Sequence, residues 1–143
     1  MNDRSTPKNI FVRGPLPATE LAESIQGHGR KTGIGAHSLF LGQVRADSID
    51  GRRVVAIEYE AYESMALRKM HEIREAIFAK YPLECLHVSH SLGRVNAGEL
   101  CLSVFVSSVR RRSALDACDE LVERIKAELP VWGKEIFETD DHR

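Results

Sequence analysis

The 143-residue sequence has little of several things that commonly announce a function. It holds three cysteines, Cys85, Cys101 and Cys118, and no Cys-x-x-Cys pair. An odd, scattered set of thiols fits reduced side chains better than a disulfide frame or a zinc site. Charge of one sign is missing too: 20 basic against 21 acidic residues leave a net charge of −1. Attraction of the whole molecule to nucleic acid or an acidic membrane is thereby disfavoured, and anion binding must come from a local cluster. No apolar run reaches the length of a transmembrane helix, and the opening "MNDRSTPKNIFVRG" contains no signal-peptide core, so a cytoplasmic protein is expected. There is no Walker lysine, no nucleophile elbow and no paired-carboxylate pattern.

What is present describes a globular chain, with 43% hydrophobic and 29% charged residues. The length suits one domain over 1–143, with residues 1–9 as a loose polar tail. "IFVRG" (10–14) reads as a short strand before Pro15 and Pro17, and Thr19 is placed to cap a helix from about Glu20 to Gln26, ended by Gly27 and Gly29. "GIGAHSLFLGQVR" (33–45) alternates as a strand, with Leu39, Leu41 and Gln43 on one side and Phe40, Gly42 and Val44 on the other. A loop with an Asp-Gly turn signal (46–53) leads to the strand "VVAIEYEAY" (54–62). Ser64 opens a helix in which Leu67, Met70, Ile73, Ile77 and Phe78 recur at helical spacing until Pro82 stops it. Residues 84–93 and 99–108 read as two strands. A second long helix, from about Arg112 to Leu129, buries Ala114, Cys118, Leu121, Val122, Ile125 and Leu129, and "VWGKEIFE" follows as a last strand. Hairpin-like strands grouped around two long helices predict an α+β domain with a mostly antiparallel sheet.

Three local features carry possible chemistry. Arg110, Arg111 and Arg112 crowd the start of the second long helix, where the dipole's positive end makes cations unfavourable unless an anion joins them. Arginine forks with free N–H groups suit phosphate or carboxylate; the plainer reading is a solvated turn paired with acidic residues elsewhere. Lys126 lies at the flank of the same helix's buried stripe. An amine held there near arginines is expected to lose basicity, which suits proton transfer or nucleophilic attack, whereas most such lysines simply reach solvent. Arg45 leaves a strand and Lys134 follows a proline, and each says little alone; Trp132 reads as a core or interface anchor rather than a stacking platform. His87 and His90, three apart on a strand, point to opposite faces and are not placed to share a metal. "GIGAHSLFLG" enters a strand instead of a helix, so it lacks the geometry of a phosphate-binding glycine loop.

Taken in order, "GAHSLFLGQVR", "IEYEAY" before a long helix, "HVSHSLGRVNAGELCLSVFVSS", an arginine-bearing turn and "LVERIKAELPVWGKEIF" resemble the large, catalytic subunit of molybdopterin synthase, the MoaE family, over residues 33–138. The resemblance implies a hammerhead-like α+β subunit that forms a homodimer and binds a small ubiquitin-like sulfur carrier at each end, giving a heterotetramer. The carrier's C-terminal Gly-Gly, as a thiocarboxylate, would deliver sulfur to cyclic pyranopterin monophosphate to form the molybdopterin dithiolene of molybdenum cofactor biosynthesis. No metal or organic cofactor of the chain's own is implied, since the sulfur arrives on the partner, and at this length no fused partner domain is expected.

By position, Gln43, Val44 and Arg45 match the family's Gly-x-Val-Arg segment, Arg111 matches the arginine of its His-Arg pair, and Lys126 matches its helix lysine, next to the reacting thiocarboxylate. The resemblance thus implies substrate contacts from Gln43, Val44, Arg45, Arg110, Arg111, Lys126, Gly133, Lys134 and Glu135, with Lys126 and Lys134 catalytic. Two positions depart from the pattern. Arg110 stands where the family carries a histidine, which keeps charge but removes a proton shuttle near neutral pH. Gly133 stands where a second lysine directly follows Pro-x-Trp; Lys134 comes one residue later and, on a strand, projects to the opposite face. These departures supply an alternative function: a catalytically impaired paralogue that binds the partner without turnover.

Overall fold

The computed structural model describes residues 8–140, so the first seven residues of the expected N-terminal tail lie outside it. In chain order the elements are β1 (Phe11–Arg13), α1 (Ala18–His28), β2 (Ala36–Gln43), β3 (Ser48–Ile49), β4 (Arg52–Ala61), α2 (Glu63–Lys80), β5 (Leu83–Asn96), β6 (Leu100–Ser108), α3 (Arg111–Glu128) and β7 (Val131–Phe137), then one 3-10 turn, Glu138–Asp140. One seven-stranded sheet runs β2-β6-β5-β4-β3, with β1 added to β5 and β7 to β4; every pairing is antiparallel except β1 with β5. The α+β class expected from the hairpin pattern is the observed one.

α2 and α3 pack on one face of the sheet, and their stripes form the core with it. Met70, Ile73 and Ile77 of α2 meet Ala114, Ala117, Leu121 and Ile125 of α3 over Leu86, Val104 and Val106. The helix positions among these are the ones that helical periodicity selects, apart from Ala117. α1 lies against the other face and buries none of its own residues.

Helix starts differ from the capping signals. α1 begins at Ala18 after Pro17, so Thr19 is inside the helix, and the helix runs on through Gly27 to His28. Proline's fixed φ sets the entry without a side-chain cap. α2 likewise starts at Glu63 with Tyr62 before it, one residue ahead of Ser64. The Asp-Gly signal does mark a turn: Asp50 and Gly51 both have positive φ and close a two-residue hairpin between β3 and β4.

The main departure concerns β5. Sequence reading ends this strand near Gly93, yet it continues to Asn96. Residues up to His90 pair with β6, and Gly93–Asn96 pair with β4, which in turn carries β7. Gly93 turns the strand at φ +80°, a conformation costly for any side chain with a Cβ, and thereby joins the two halves of the sheet. Gly93→Ala is expected to lower the unfolding free energy by about 1–2 kcal/mol. Urea denaturation would check this, and an unchanged midpoint would show that the corner tolerates a Cβ.

Candidate functional site

A cleft of about 670 Å³ opens where β2, β4, β7 and the end of α3 converge. Six of the residues singled out from the sequence line it: Gln43, Val44, Arg45, Lys126, Gly133 and Glu135. They come from three chain segments, which the fold brings together by ending β2 beside β6 and laying β7 antiparallel along β4. A register shift at Gly42/Gln43 interrupts the β2–β6 ladder just before Arg45, and Val44 takes up hydrogen bonds with Glu99 and Gly98 instead. That irregularity releases Arg45 from the sheet. Its side chain is 82% exposed and reaches Asp47 at 3.3 Å, an ion pair weak enough in solvent to yield to a better anion.

Lys126 stands exposed on the last turn of α3, beside the cleft. Arg110 and Arg111 sit at the opposite end of that helix and do not line the cleft. Fifteen residues of helix put Arg111 about 22 Å along the axis from Lys126. The expected lysine held against arginines is therefore not found within one chain. Arg112 pairs with Asp116 at 3.3 Å, whereas Arg110 and Arg111 have no acidic partner among the described residues. The helix start has no acidic residue in its first turn and no side-chain cap; Ser108 donates its hydroxyl to the Arg110 carbonyl just before it.

Lys134 is likewise outside the cleft. β7 is a regular strand here, and alternation sends Gly133 and Glu135 one way and Lys134 the other. Gly133 itself is exposed to solvent, yet two side chains crowd the place a β-carbon would take. A Cβ at that position would lie 2.5 Å from Ile57 Cγ2 and 3.1 Å from the Tyr59 ring. Trp132, read as a core or interface anchor, is 43% exposed and leans on Tyr62 with ring centroids 5.1 Å apart.

Sequence reasoning missed the polar floor of the cleft. Tyr59, His90 and Cys101 all line it, and the Tyr59 and His90 rings meet edge-to-face at 5.3 Å. Burial, and then the Cys101 thiol beside it, holds the Tyr59 phenol protonated far above its ordinary range. Burial lowers His90 from its ordinary value, and the charge of Lys126 adds to this; its Nδ1–H donates to the Ser91 carbonyl at 2.8 Å. The strand parity of "HVSH" held the signal. It places His90 on the helix-covered face with Lys126, and His87 on the other, where burial and then the neighbouring basic groups push it down to about 4.

Two outcomes follow. Since His90 takes up its proton at lower pH in the folded chain than in the unfolded one, the unfolded state binds more protons below about pH 6.5, and stability falls as pH drops through that value. Unfolding free energies at pH 7.5 and 5.5 should therefore differ less in His90→Phe than in the parent; equal differences would remove His90 from the account. Gly133→Ala should destabilise the chain by about 1–3 kcal/mol through overpacking against Ile57, and Ile57→Ala should relieve part of that cost.

The chain matches the family described as MoaE protein over residues 12–128. It is 41% identical over 132 residues to a protein from Drosophila willistoni named molybdopterin synthase catalytic subunit, a match covering 92% of this chain and 34% of that relative. A protein of the same name from Oryza sativa subsp. indica is 41% identical over 111 residues, 78% of this chain and 57% of the relative. The chain thus spans about a third of one curated relative and just over half of the other. Among solved structures, molybdopterin synthase from Staphylococcus aureus superposes with a TM-score of 0.76 at 30% identity, covering 90% of both chains. A protein–protein complex of subunits 1 and 2 of molybdopterin-converting factor from Helicobacter pylori shares the fold, with a TM-score of 0.77 at 22% identity over 90% of this chain and 84% of that one. With a matched segment that runs from β1 to the end of α3 and a fold shared along nine-tenths of its length, this chain belongs to the MoaE family.

Proposed function

We propose that the chain is the large subunit of a molybdopterin synthase, a sulfurtransferase that receives the thiocarboxylated C-terminus of a small ubiquitin-like carrier and passes its sulfur to cyclic pyranopterin monophosphate. The observation that carries this reading is the convergence of Arg45 and Lys126 on one cleft of about 670 Å³ that is open to solvent. Arg45 would hold an anionic oxygen of the substrate phosphate or the tail, using the donors it now shares with Asp47. Lys126, a donor-only cation, would stabilise negative charge on the carbonyl oxygen as sulfur leaves the carrier.

Charge supports a dimeric site. Within one chain the cleft's two cations, Arg45 and Lys126, face two anions, Asp47 and Glu135. A phosphate-bearing substrate calls for a surplus of positive charge. Arg110 and Arg111, about 22 Å along α3 from Lys126, would enter the same site only from a second copy of the chain. The unpaired edge of β2, where Leu39 is 36% exposed, and the exposed Leu115 and Val109 near the start of α3 provide apolar surface for such an association.

One observation favours the second reading, a partner-binding module without turnover. At position 133, where the resemblance implies a lysine, the cleft wall is bare backbone, and Ile57 and Tyr59 crowd it. Purified chain mixed with the thiocarboxylated carrier and cyclic pyranopterin monophosphate distinguishes the two. Dithiolene formation is expected, and Lys126→Ala should slow it roughly 10²–10³-fold while carrier binding persists. Unaltered turnover in that variant would remove Lys126 from its role. Carrier binding without turnover in the parent chain would establish the module instead.

A further inference from the structure

Away from the cleft, on the sheet face that α1 covers, three metal-ligating side chains meet. Cys85 and His87 are two residues apart on β5, so strand alternation points both to this face. His28, the last residue of α1 and 59 positions before His87, joins them from above. The sulfur and one nitrogen from each ring lie within 4.8 Å of one another.

Their orientation is specific. His28 Nδ1 lies 2.7 Å from the Ser24 carbonyl one helical turn back, so Nδ1 carries the proton and Nε2 presents its lone pair toward His87. A backbone carbonyl on the far nitrogen is the arrangement that fixes the tautomer of metal-bound histidines. The facing His87 Nε2 is 3.2 Å away. Two imidazole nitrogens on one tetrahedral ion, each bound at ~2.0–2.1 Å, stand roughly 3.3–3.4 Å apart. The Cys85 sulfur is buried and accepts a hydrogen bond from the Lys31 ammonium at 2.9 Å, a donor that would balance the charge of a thiolate ligand. Phe105 underlies both rings, with centroids 5.1 Å from His28 and 6.2 Å from His87, and gives the group an apolar floor.

The geometry points to a binding site for a single thiophilic d10 metal ion, zinc(II) or copper(I), formed by Nε2 of His28, Sγ of Cys85 and Nε2 of His87. Two imidazoles and one thiolate suit both ions, and three protein ligands leave a position open for water or an added anion on zinc, or complete a trigonal set on copper. The ion would have a mechanical role. α1 buries no residue of its own, so one coordinated histidine at its end would bind this helix to β5. Nothing in this assignment depends on the sulfur-transfer reading.

The test is direct titration of the chelator-treated chain, with cobalt(II) as the spectroscopic stand-in for zinc, zinc by competition, and copper(I) under anaerobic conditions against a chromogenic chelator. One equivalent per chain is expected, with a thiolate-to-cobalt charge-transfer band that Cys85→Ser abolishes. His28→Gln, at the end of a helix with no buried residue, should keep the fold and weaken binding roughly tenfold or more. Metal should also raise the melting temperature of the parent chain by more than that of His28→Gln. The two titrations show which of zinc and copper(I) these three ligands bind at one equivalent per chain. Absence of stoichiometric binding by either, or equal affinity in the parent and His28→Gln, would overturn the assignment. So would a charge-transfer band that survives Cys85→Ser, because Cys101 or Cys118 would then be the ligand.

Discussion

The fourteen residues of β5 hold the molecule together, because among the described residues no other strand belongs to both halves of the sheet. The first part of β5 pairs with β6, its middle with β1, and its last part with β4, which brings β7 with it. Both walls of the cleft therefore take their relative position from one continuous backbone that turns at Gly93. Alternation along the same strand divides its side chains between two environments. His90 goes to the cleft floor with Tyr59, and Cys85 and His87 go to the face beneath α1. One strand thus sets the spacing within the site and keeps a second cluster of reactive groups apart from it.

α3 imposes a constraint of another kind. It is a straight element with arginines at its start and Lys126 at its end, and a helix of this length cannot fold back to bring them together. Within one subunit the basic turn and the cleft are separate features. Arg110 and Arg111 face solvent without acidic partners among the described residues, at the end of the helix where their charge is least favourable. That combination is tolerable in a monomer, and it becomes useful when an anion or another molecule is brought to that end.

Much of the fold was legible in the residues. Helical spacing in α2 and α3 selected nearly every core position, and Asp50-Gly51 announced its hairpin. What escaped depends on geometry beyond the local pattern. Gly93 looks like the end of a strand, since the sequence around it does not say that a second partner, β4, waits on the far side. The cap Thr19 and the helix start Ser64 fall two and one residues late, because Pro17 and Tyr62 precede their helices without side-chain caps. For the site, six of nine candidates converged because they lie near the ends of elements that meet. Arg110, Arg111 and Lys134 did not, the first two through the length of α3 and the third through the parity of β7. His90 and Tyr59 had ordinary strand contexts, and only the packing of α3 over the sheet turns that face into a floor.

The crowding at Gly133 has a historical consequence. Ile57 and Tyr59 fill the space that a β-carbon at this position would occupy, so glycine here is locked in by its neighbours. A lineage at this state gains a side chain at 133 by one change only if Ile57 gives way, at a cost in packing. Shrinking residue 57 first would widen the cleft that Ile57 lines and give up its packing there. Either order crosses a less stable chain, so the substitution behaves as a ratchet: whatever chemistry this cleft performs must evolve around a missing side chain, by recruiting groups already present at its rim and floor.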